Sequence, residues 1–325
     1  MSRKKVFLTR PDFHQSGIKL LEEKFDVQYN PEPHDVSKDY LLQHIKGADA
    51  LFCIVTDKIT KEVLDAAGPQ LKVVATLSIG FDHIDVDECK KRGIQVCNAA
   101  NPINVSAVAE FTVGLLLAVS RNIVKAAGAI QRGEWVQPWI KNFYVGRGLV
   151  NAVVGIVGMG RIGQAVLDRI LPFGVSKVYY YDVLSPVSAA DEKGAHSTTF
   201  DQLLKSSDYV VVTCNLTEDN RGMFDSKAFS MMKPNAVFVN TSRGGVVQQE
   251  ALIDALKNNR IRAAAIDVTT PEPLPKDHEL LTLPNVVVTP HIAAAEEIVW
   301  EIKSTLTAEN IIAVLEGRKP PTPVY

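Results

Sequence analysis

The chain has 325 residues, 46% hydrophobic and 22% charged, an ordinary globular composition spread over more length than one hydrophobic core usually organises. Its 35 basic and 37 acidic side chains nearly cancel, and no basic block interleaved with aromatics marks a nucleic-acid surface. No apolar run approaches bilayer-spanning length, and Met1 to Arg10 is broken by charge too early for a secretory signal, so a cytoplasmic protein with neither membrane nor nucleic-acid partner is expected.

In chain order, Lys5 to Thr9, Asp26 to Tyr29, Ala50 to Ile54, Leu71 to Leu77 and Ile94 to Asn98 read as strands. Short helical patterns separate them over Ser16 to Lys24, Lys38 to Ile45, Lys61 to Ala67 and Val86 to Arg92, the alternation of a parallel, doubly wound sheet. A longer helical stretch, apolar over most of its faces, runs from about Ser106 to Ser120 and on through Gln131. Cys53, Cys89, Cys97 and Cys214 are scattered without metal-ligand spacing, so neither a metal site nor a disulfide framework is expected.

Alternation restarts with strands at Val153 to Val157, Lys177 to Tyr181, Tyr209 to Cys214, Ala236 to Asn240, Ala263 to Val268 and Val286 to Thr289, about the six of a dinucleotide-binding sheet. A last helix, Glu296 to Glu316, lies beyond them and is inferred to return to the first domain. The expected division is residues 1–104 with 292–325 as substrate domain, and 105–291 as cofactor domain.

The run Gly158-Met159-Gly160-Arg161-Ile162-Gly163 joins a strand to a helix, the context in which glycines allow a tight turn, close approach of a pyrophosphate, and helix-on-strand packing. The helix N-terminus offers unpaired N–H groups and a positive dipole end to phosphates. Asp182 ends the next strand, about 20 residues beyond Gly163, where a carboxylate bonds the ribose 2′-hydroxyl and repels a 2′-phosphate. No arginine follows it closely, which favours NAD(H) over NADP(H).

Three consecutive strands then end in chemistry: Arg243 after the first, Asp267 and Glu272 after the second, and His291 after the third. Singly these read as a surface ion pair, solvated loop acids and a structural histidine. Together, at the sheet edge where doubly wound folds place ligands, they read as a site.

With Leu77 to Asp85, Gly158 to Gly163, Asn240 to Gly244, Asp267 to Pro273 and Pro290-His291 in place, the sequence resembles the D-2-hydroxyacid dehydrogenase family over nearly its whole length, closest to the glyoxylate/hydroxypyruvate reductase branch. The resemblance implies that Arg243 binds the substrate carboxylate and carbonyl, that Glu272 hydrogen-bonds His291, and that His291 exchanges the proton at the substrate oxygen. It places Arg161 and Ile162 at the pyrophosphate, Thr241 and Asp267 near the nicotinamide, and Val105 beside its ring. Backbone N–H groups of Ser78, Ile79 and Gly80 would grip the carboxylate, while Asp82 and His83 are mainly structural. Trp139 resembles a tryptophan that crosses a homodimer interface to the partner's substrate pocket. Physical chemistry agrees with the central roles: a neighbouring carboxylate favours the imidazolium that donates a proton, and a guanidinium suits a 2-oxo acid.

The resulting expectation is an α/β protein with two doubly wound parallel-sheet domains, a Rossmann cofactor domain inserted into a flavodoxin-like substrate domain. Its implied activity is NADH-dependent reduction of a small 2-oxo acid to the D-2-hydroxy acid, with the domains closing over the cofactor. A dehydrogenase for formate or phosphite, or an NAD-sensing co-repressor-like protein, are the alternatives. Ala294, where the branch carries a small polar residue, bears on hydroxypyruvate, and Asp182 departs from the NADPH habit of the branch.

Overall fold

In a computed structural model, which describes residues 3–32, 35–138 and 144–325, the alternation resolves into two wholly parallel sheets. Unit 1 comprises residues 1–104 and 295–325, and unit 2 residues 105–294. The chain re-enters unit 1 after Ala294, slightly beyond the expected boundary. The cause is local: the backbone amides of Ile292 and Ala293 are still bound to the Asp267 carboxylate of unit 2.

Unit 1 contains β1 (Lys5–Leu8), β2 (Asp26–Tyr29), β3 (Ala50–Cys53), β4 (Val73–Thr76) and β5 (Gln95–Cys97) in the order β2-β1-β3-β4-β5. Its intervening helices are α1 (Gln15–Glu22), α2 (Lys38–His44), α3 (Lys61–Ala67) and α4 (Val86–Arg92). The apolar strand residues Ala50 to Cys53 and Val73 to Thr76 are fully buried because helices cover both sheet faces. The C-terminal residues pair with the edge strand, Val324 N–H donating to Val96 O at 2.9 Å, which covers an otherwise unpaired edge.

The stretch expected as one long helix is two, α5 (Pro102–Ser120) and α6 (Ile123–Gln131), parted at Asn122, whose φ of 55° is left-handed and cannot continue a right-handed helix. α5 also corrects the expectation about apolar runs: by length and composition it is able to cross a bilayer. Half of that stretch is buried inside the protein. Within unit 2 it is pinned by Ser106, which accepts from Arg169 at 2.5 Å, and by Thr112, whose hydroxyl meets that of Thr241 at 2.7 Å.

Among the described residues, unit 2 holds seven strands: β6 (Val153–Val157), β7 (Lys177–Tyr181), β8 (Ala195–Ser197), β9 (Tyr209–Val212), β10 (Val237–Asn240), β11 (Ala263–Ile266) and β12 (Val286–Val288). The order is β12-β11-β10-β9-β6-β7-β8, so the direction of strand succession reverses between β6 and β9. The edge strand β8 was not expected, because Ala195-His196-Ser197 is short and carries no β-branched or aromatic run. Helices α7 (Arg161–Ile170), α8 (Ser188–Asp191), α9 (Phe200–Ser206), α10 (Ser226–Met231) and α11 (Gln249–Lys257) connect the strands. The last helix, α12 (Glu297–Leu315), packs in unit 1, burying Ala308, Ile311, Ile312 and Leu315 in the core formed with β1, β3, β4 and α1.

Candidate active site

β6 delivers the glycine turn to the point where strand order reverses. Gly158 has a φ of 95°, and a Cβ there would lie 2.5 Å from the Cys214 nitrogen. At Gly163 a Cβ would sit 2.1 Å from the Gly158 carbonyl oxygen, so helix and turn touch at a distance only glycine permits. Gly160 differs: a Cβ would meet nothing within 4 Å. Two glycines are therefore required by the protein's own packing, and the middle one leaves backbone open to a ligand.

Arg161 and Ile162 start α7, Arg161 exposed and Ile162 half-buried against the core. Asp182 follows β7 and accepts from Met159 N at 2.7 Å and Leu184 N at 2.8 Å. Its carboxylate thus shapes the glycine turn from the side where the adenosine ribose is expected, with lone pairs remaining on both oxygens. The open turn, the helix N-terminus and the strand-end carboxylate fit a nicotinamide dinucleotide.

β10, β11 and β12 bring Arg243, Glu272 and His291 to one edge of the sheet. After β10 the buried Asn240 accepts from Ser242 N at 3.0 Å and Ser242 Oγ at 2.8 Å while donating to Arg243 O at 3.0 Å, which fixes the backbone that carries Arg243. The next residue must be glycine, since a Cβ on Gly244 would lie 2.1 Å from Thr269 O in the neighbouring loop. Thr241 is buried with its hydroxyl on Thr112, and Val105 is half-buried in the first turns of α5.

Asp267 is 1% exposed. Its carboxylate accepts from Thr289 Oγ1 at 2.6 Å, Ile292 N at 2.9 Å and Ala293 N at 2.8 Å. Its carbonyl accepts the N–H of His291 at 2.8 Å. Burial pushes the Asp267 carboxyl above its ordinary pKa even though the hydrogen bonds and the nearby His291 act the other way. This residue, expected near the nicotinamide, therefore spends its side chain holding the His291 loop. That restraint is needed because His291 has a left-handed φ of 55°, a conformation costing a non-glycine residue about 1–3 kcal/mol.

His291 Nδ1 meets Glu272 Oε2 at 2.9 Å, and Glu272 Oε1 accepts from Thr269 N at 2.9 Å. An ionised carboxylate only accepts, so Nδ1 carries a proton and Nε2 is the ring nitrogen left open. Nε2 has no hydrogen-bond partner among the described residues. Burial raises the Glu272 carboxyl, but the hydrogen bond and charge of His291, the Thr269 amide and the charge of Arg243 outweigh it and hold it below the usual carboxylate range. The histidine side chain remains 30% exposed, accessible to a small substrate.

In unit 1, β4 leads into the Ser78 to Gly80 loop. His83 Nε2 and Thr76 Oγ1 lie 3.0 Å apart, Thr76 Oγ1 and Ser78 Oγ 2.9 Å, and Ser78 Oγ donates to Gly80 O at 2.6 Å. Asn98 Nδ2 donates to Ile79 O at 2.8 Å, and Ala99 N to Ser78 O at 2.9 Å. All three carbonyls of the loop are bound, whereas the amides of Ser78, Ile79 and Gly80 have no acceptor among the described residues. Such a strip of amides suits an anion. His83, 4% exposed, supports the loop from beneath. Trp139 lies outside the described residues.

Sequence reasoning did not single out Asn240, Asn98, Thr289 or the anchoring work of Asp267. Only the buried-polar character of asparagine and aspartate beside glycine turns hinted at them, and their partners are distant along the chain.

These features agree with what the chain is similar to. The D-isomer specific 2-hydroxyacid dehydrogenase NAD-binding domain matches residues 113–293. A glyoxylate reductase of Thermofilum pendens is 43% identical over 99% of this chain and 94% of its own length. The crystal structure of the TT0316 protein from Thermus thermophilus superposes with a TM-score of 0.89 at 37% identity, covering 99% of this chain and 100% of that one. An NADPH-dependent glyoxylate/hydroxypyruvate reductase from Sinorhizobium meliloti, solved with NADP and malonate, gives a TM-score of 0.85 at 27% identity over 99% and 97% of the two chains. A nicotinamide-binding sheet, a histidine paired to a carboxylate at its edge, and full-length kinship converge: the chain belongs to the D-isomer-specific 2-hydroxyacid dehydrogenase family.

Proposed function

We propose that this protein reduces a small 2-oxo acid of the glyoxylate or hydroxypyruvate class to the D-2-hydroxy acid, with NADH preferred over NADPH. The observation that carries the reading is the 2.9 Å pairing of His291 with Glu272, which leaves Nε2 as the proton donor. When bound, the nicotinamide supplies the hydride. Gly158 to Gly163 hold the pyrophosphate, with Arg161 and Ile162 at the helix start, and Asp182 bonds the ribose hydroxyl. Val105, Thr241 and Asp267 form the nicotinamide surroundings. Arg243 binds the carboxylate and steadies the charge that develops on the carbonyl oxygen. That oxygen takes the proton from His291 Nε2, leaving a neutral imidazole whose Nδ1–H still faces Glu272. The amides of Ser78, Ile79 and Gly80 receive the substrate carboxylate. Ala294 offers a methyl group where a serine would meet the hydroxyl of hydroxypyruvate, which favours glyoxylate.

Exposed Ile123, Val124, Ile130, Trp135 and Val136, on α6 and just after it, support a homodimer face, and by the family resemblance Trp139 reaches the partner's pocket. Four free cysteines support a reducing, cytoplasmic location. The test is oxidation of NADH and of NADPH against a panel of 2-oxo acids, on enzyme sized by sedimentation. Glyoxylate turnover, faster with NADH, by a dimer is expected. No turnover of any 2-oxo acid would sink the reductase reading, equal efficiency with NADPH the role of Asp182, and a fully active monomer the role of Trp139.

A further inference from the structure

Glu272 stands on a loop of unit 2 that has little to hold it. Residues 270–273 are exposed, and Pro271 and Pro273 bring no N–H group to it. Thr269 spends its amide on Glu272 Oε1 at 2.9 Å and its hydroxyl on Pro271 O at 2.8 Å, both inside the loop. Among the described residues, two side chains from elsewhere reach residues 269–273 by hydrogen bonds: His291, through the Glu272 carboxylate itself, and Gln249.

Gln249 is 7% exposed at the first position of α11. Its carboxamide grips the main chain of Thr270 on both sides, Nε2 donating to Thr270 O at 2.9 Å and Oε1 accepting from Thr270 N at 3.1 Å. A neighbouring strand would make the same pairing; here one side chain supplies both donor and acceptor. His278 flanks the amide, its Nε2 3.2 Å from Gln249 Nε2. Turning the amide over to offer His278 an oxygen would set donor against donor and acceptor against acceptor at Thr270, so the loop decides its orientation. The main chain of Gln249 belongs to the segment that carries Arg243, which runs through the turn Gly244–Val246 into α11. Gly244 already touches Thr269 O, and Gln249 fastens the two segments there. Arg243 is near enough for its charge to help hold Glu272 ionised.

We propose that Gln249 is a positioning residue for the proton-transfer pair: by clamping Thr270 to the segment that carries Arg243, it sets where Glu272 meets His291. This rests on the reductase reading above. Because Gln249 acts through Glu272, it bears on the chemical step more than on affinity for substrate or cofactor.

The test is a double-mutant cycle on the whole enzyme, Gln249→Leu with Glu272→Ala, read as kcat, KM, pH–rate profile and thermal unfolding. Leucine fills similar space and removes both bonds to Thr270. Alone it should lower kcat by about fivefold to a hundredfold, the range for two neutral hydrogen bonds, with KM for glyoxylate and for NADH changed less than about threefold. Its acid limb should rise toward the ordinary glutamate range, since a loosened Glu272 loses bonds that hold its carboxyl down. In the Glu272→Ala background, with no carboxylate left to position, the same change should cost less than about threefold. A side chain that only packs at the start of α11 would give a lower unfolding temperature, an unmoved acid limb and the same loss in both backgrounds. Should Gln249→Leu not fold, Gln249→Met removes the same bonds with a more adaptable chain and carries the same expectations; failure of both to fold would make Gln249 structural and overturn its positioning role. Wild-type turnover with kcat unchanged in the variant, or equal losses in both backgrounds, overturns the role of Gln249 alone. Absence of any 2-oxo acid turnover in wild type overturns the reductase reading and this one with it.

Discussion

In unit 1 the strip Ser78 to Gly80 offers main-chain amides whose carbonyl neighbours are all bound within the chain, whereas at the ends of β10, β11 and β12 in unit 2 the groups on offer are side chains: Arg243, Glu272 and His291. Both are built on the C-terminal edge of a parallel sheet. The amide strip is held by several separate restraints, from Ser78 Oγ, Asn98 Nδ2 and Ala99 N, so no single side chain carries it. In the side-chain cluster each candidate group stands on one residue, positioned by buried anchors such as Asn240 and Asp267. On the proposed reading, recognition through backbone should be robust and chemistry through side chains fragile and tunable.

The sharpest way to break that contrast is His291→Ala. It removes the Nε2 proposed to exchange the proton and should lower kcat/KM by roughly 10² to 10⁴-fold. Near-wild-type turnover, measured as NADH oxidation with glyoxylate, would show that the unit 2 cluster is not where proton transfer occurs.

Glu272→Gln probes the same cluster one step back. A charge-assisted hydrogen bond is worth about 1.5–3 kcal/mol, so a fall in kcat of about tenfold to a hundredfold is expected. The Glu272 carboxyl is held below its ordinary range, so its stabilising charge is fully present above that range and disappears only as pH falls through the depressed value. Wild-type activity should accordingly persist on acidification past the usual glutamate pKa, and this acid limb should vanish from the pH–rate profile of the variant. An unchanged acid limb would assign it to another group.

Ser78→Ala should have the smallest effect. It deletes the hydroxyl that ties Gly80 O, a net contribution of about 0.5–1.5 kcal/mol, while Asn98 and Ala99 still hold the other two carbonyls. A rise of a few-fold in KM with kcat unchanged is expected. A hundredfold loss would mean that the amide strip depends on one side chain after all, and the contrast between the two units would fail.

Much of this is legible in the sequence itself. The strands of both sheets could be read because buried parallel strands are continuous apolar runs bounded by turn residues, as at Val153–Val157 and Tyr209–Val212. β8 escaped because a three-residue edge strand carries no such run. The break between α5 and α6 escaped because the helical period continues across Asn122, and only its backbone angle reveals the interruption. Arg243, Glu272 and His291 were legible as strand-end residues of the right chemistry, but the partner of each was not.

What the sequence determined by itself is therefore local: which segments are strands and helices, where glycine is compulsory, and which acidic, basic and imidazole groups stand at strand ends. These follow from periodicity and from the conformational limits of each residue, which act over a few positions. Tertiary structure alone decided that Asp267 faces inward to clamp the His291 loop and that Asn98 reaches across to hold Ile79 O. Those outcomes depend on which distant segment fills the space beside a group, and burial, not residue type, sets what a charge costs and what it is for.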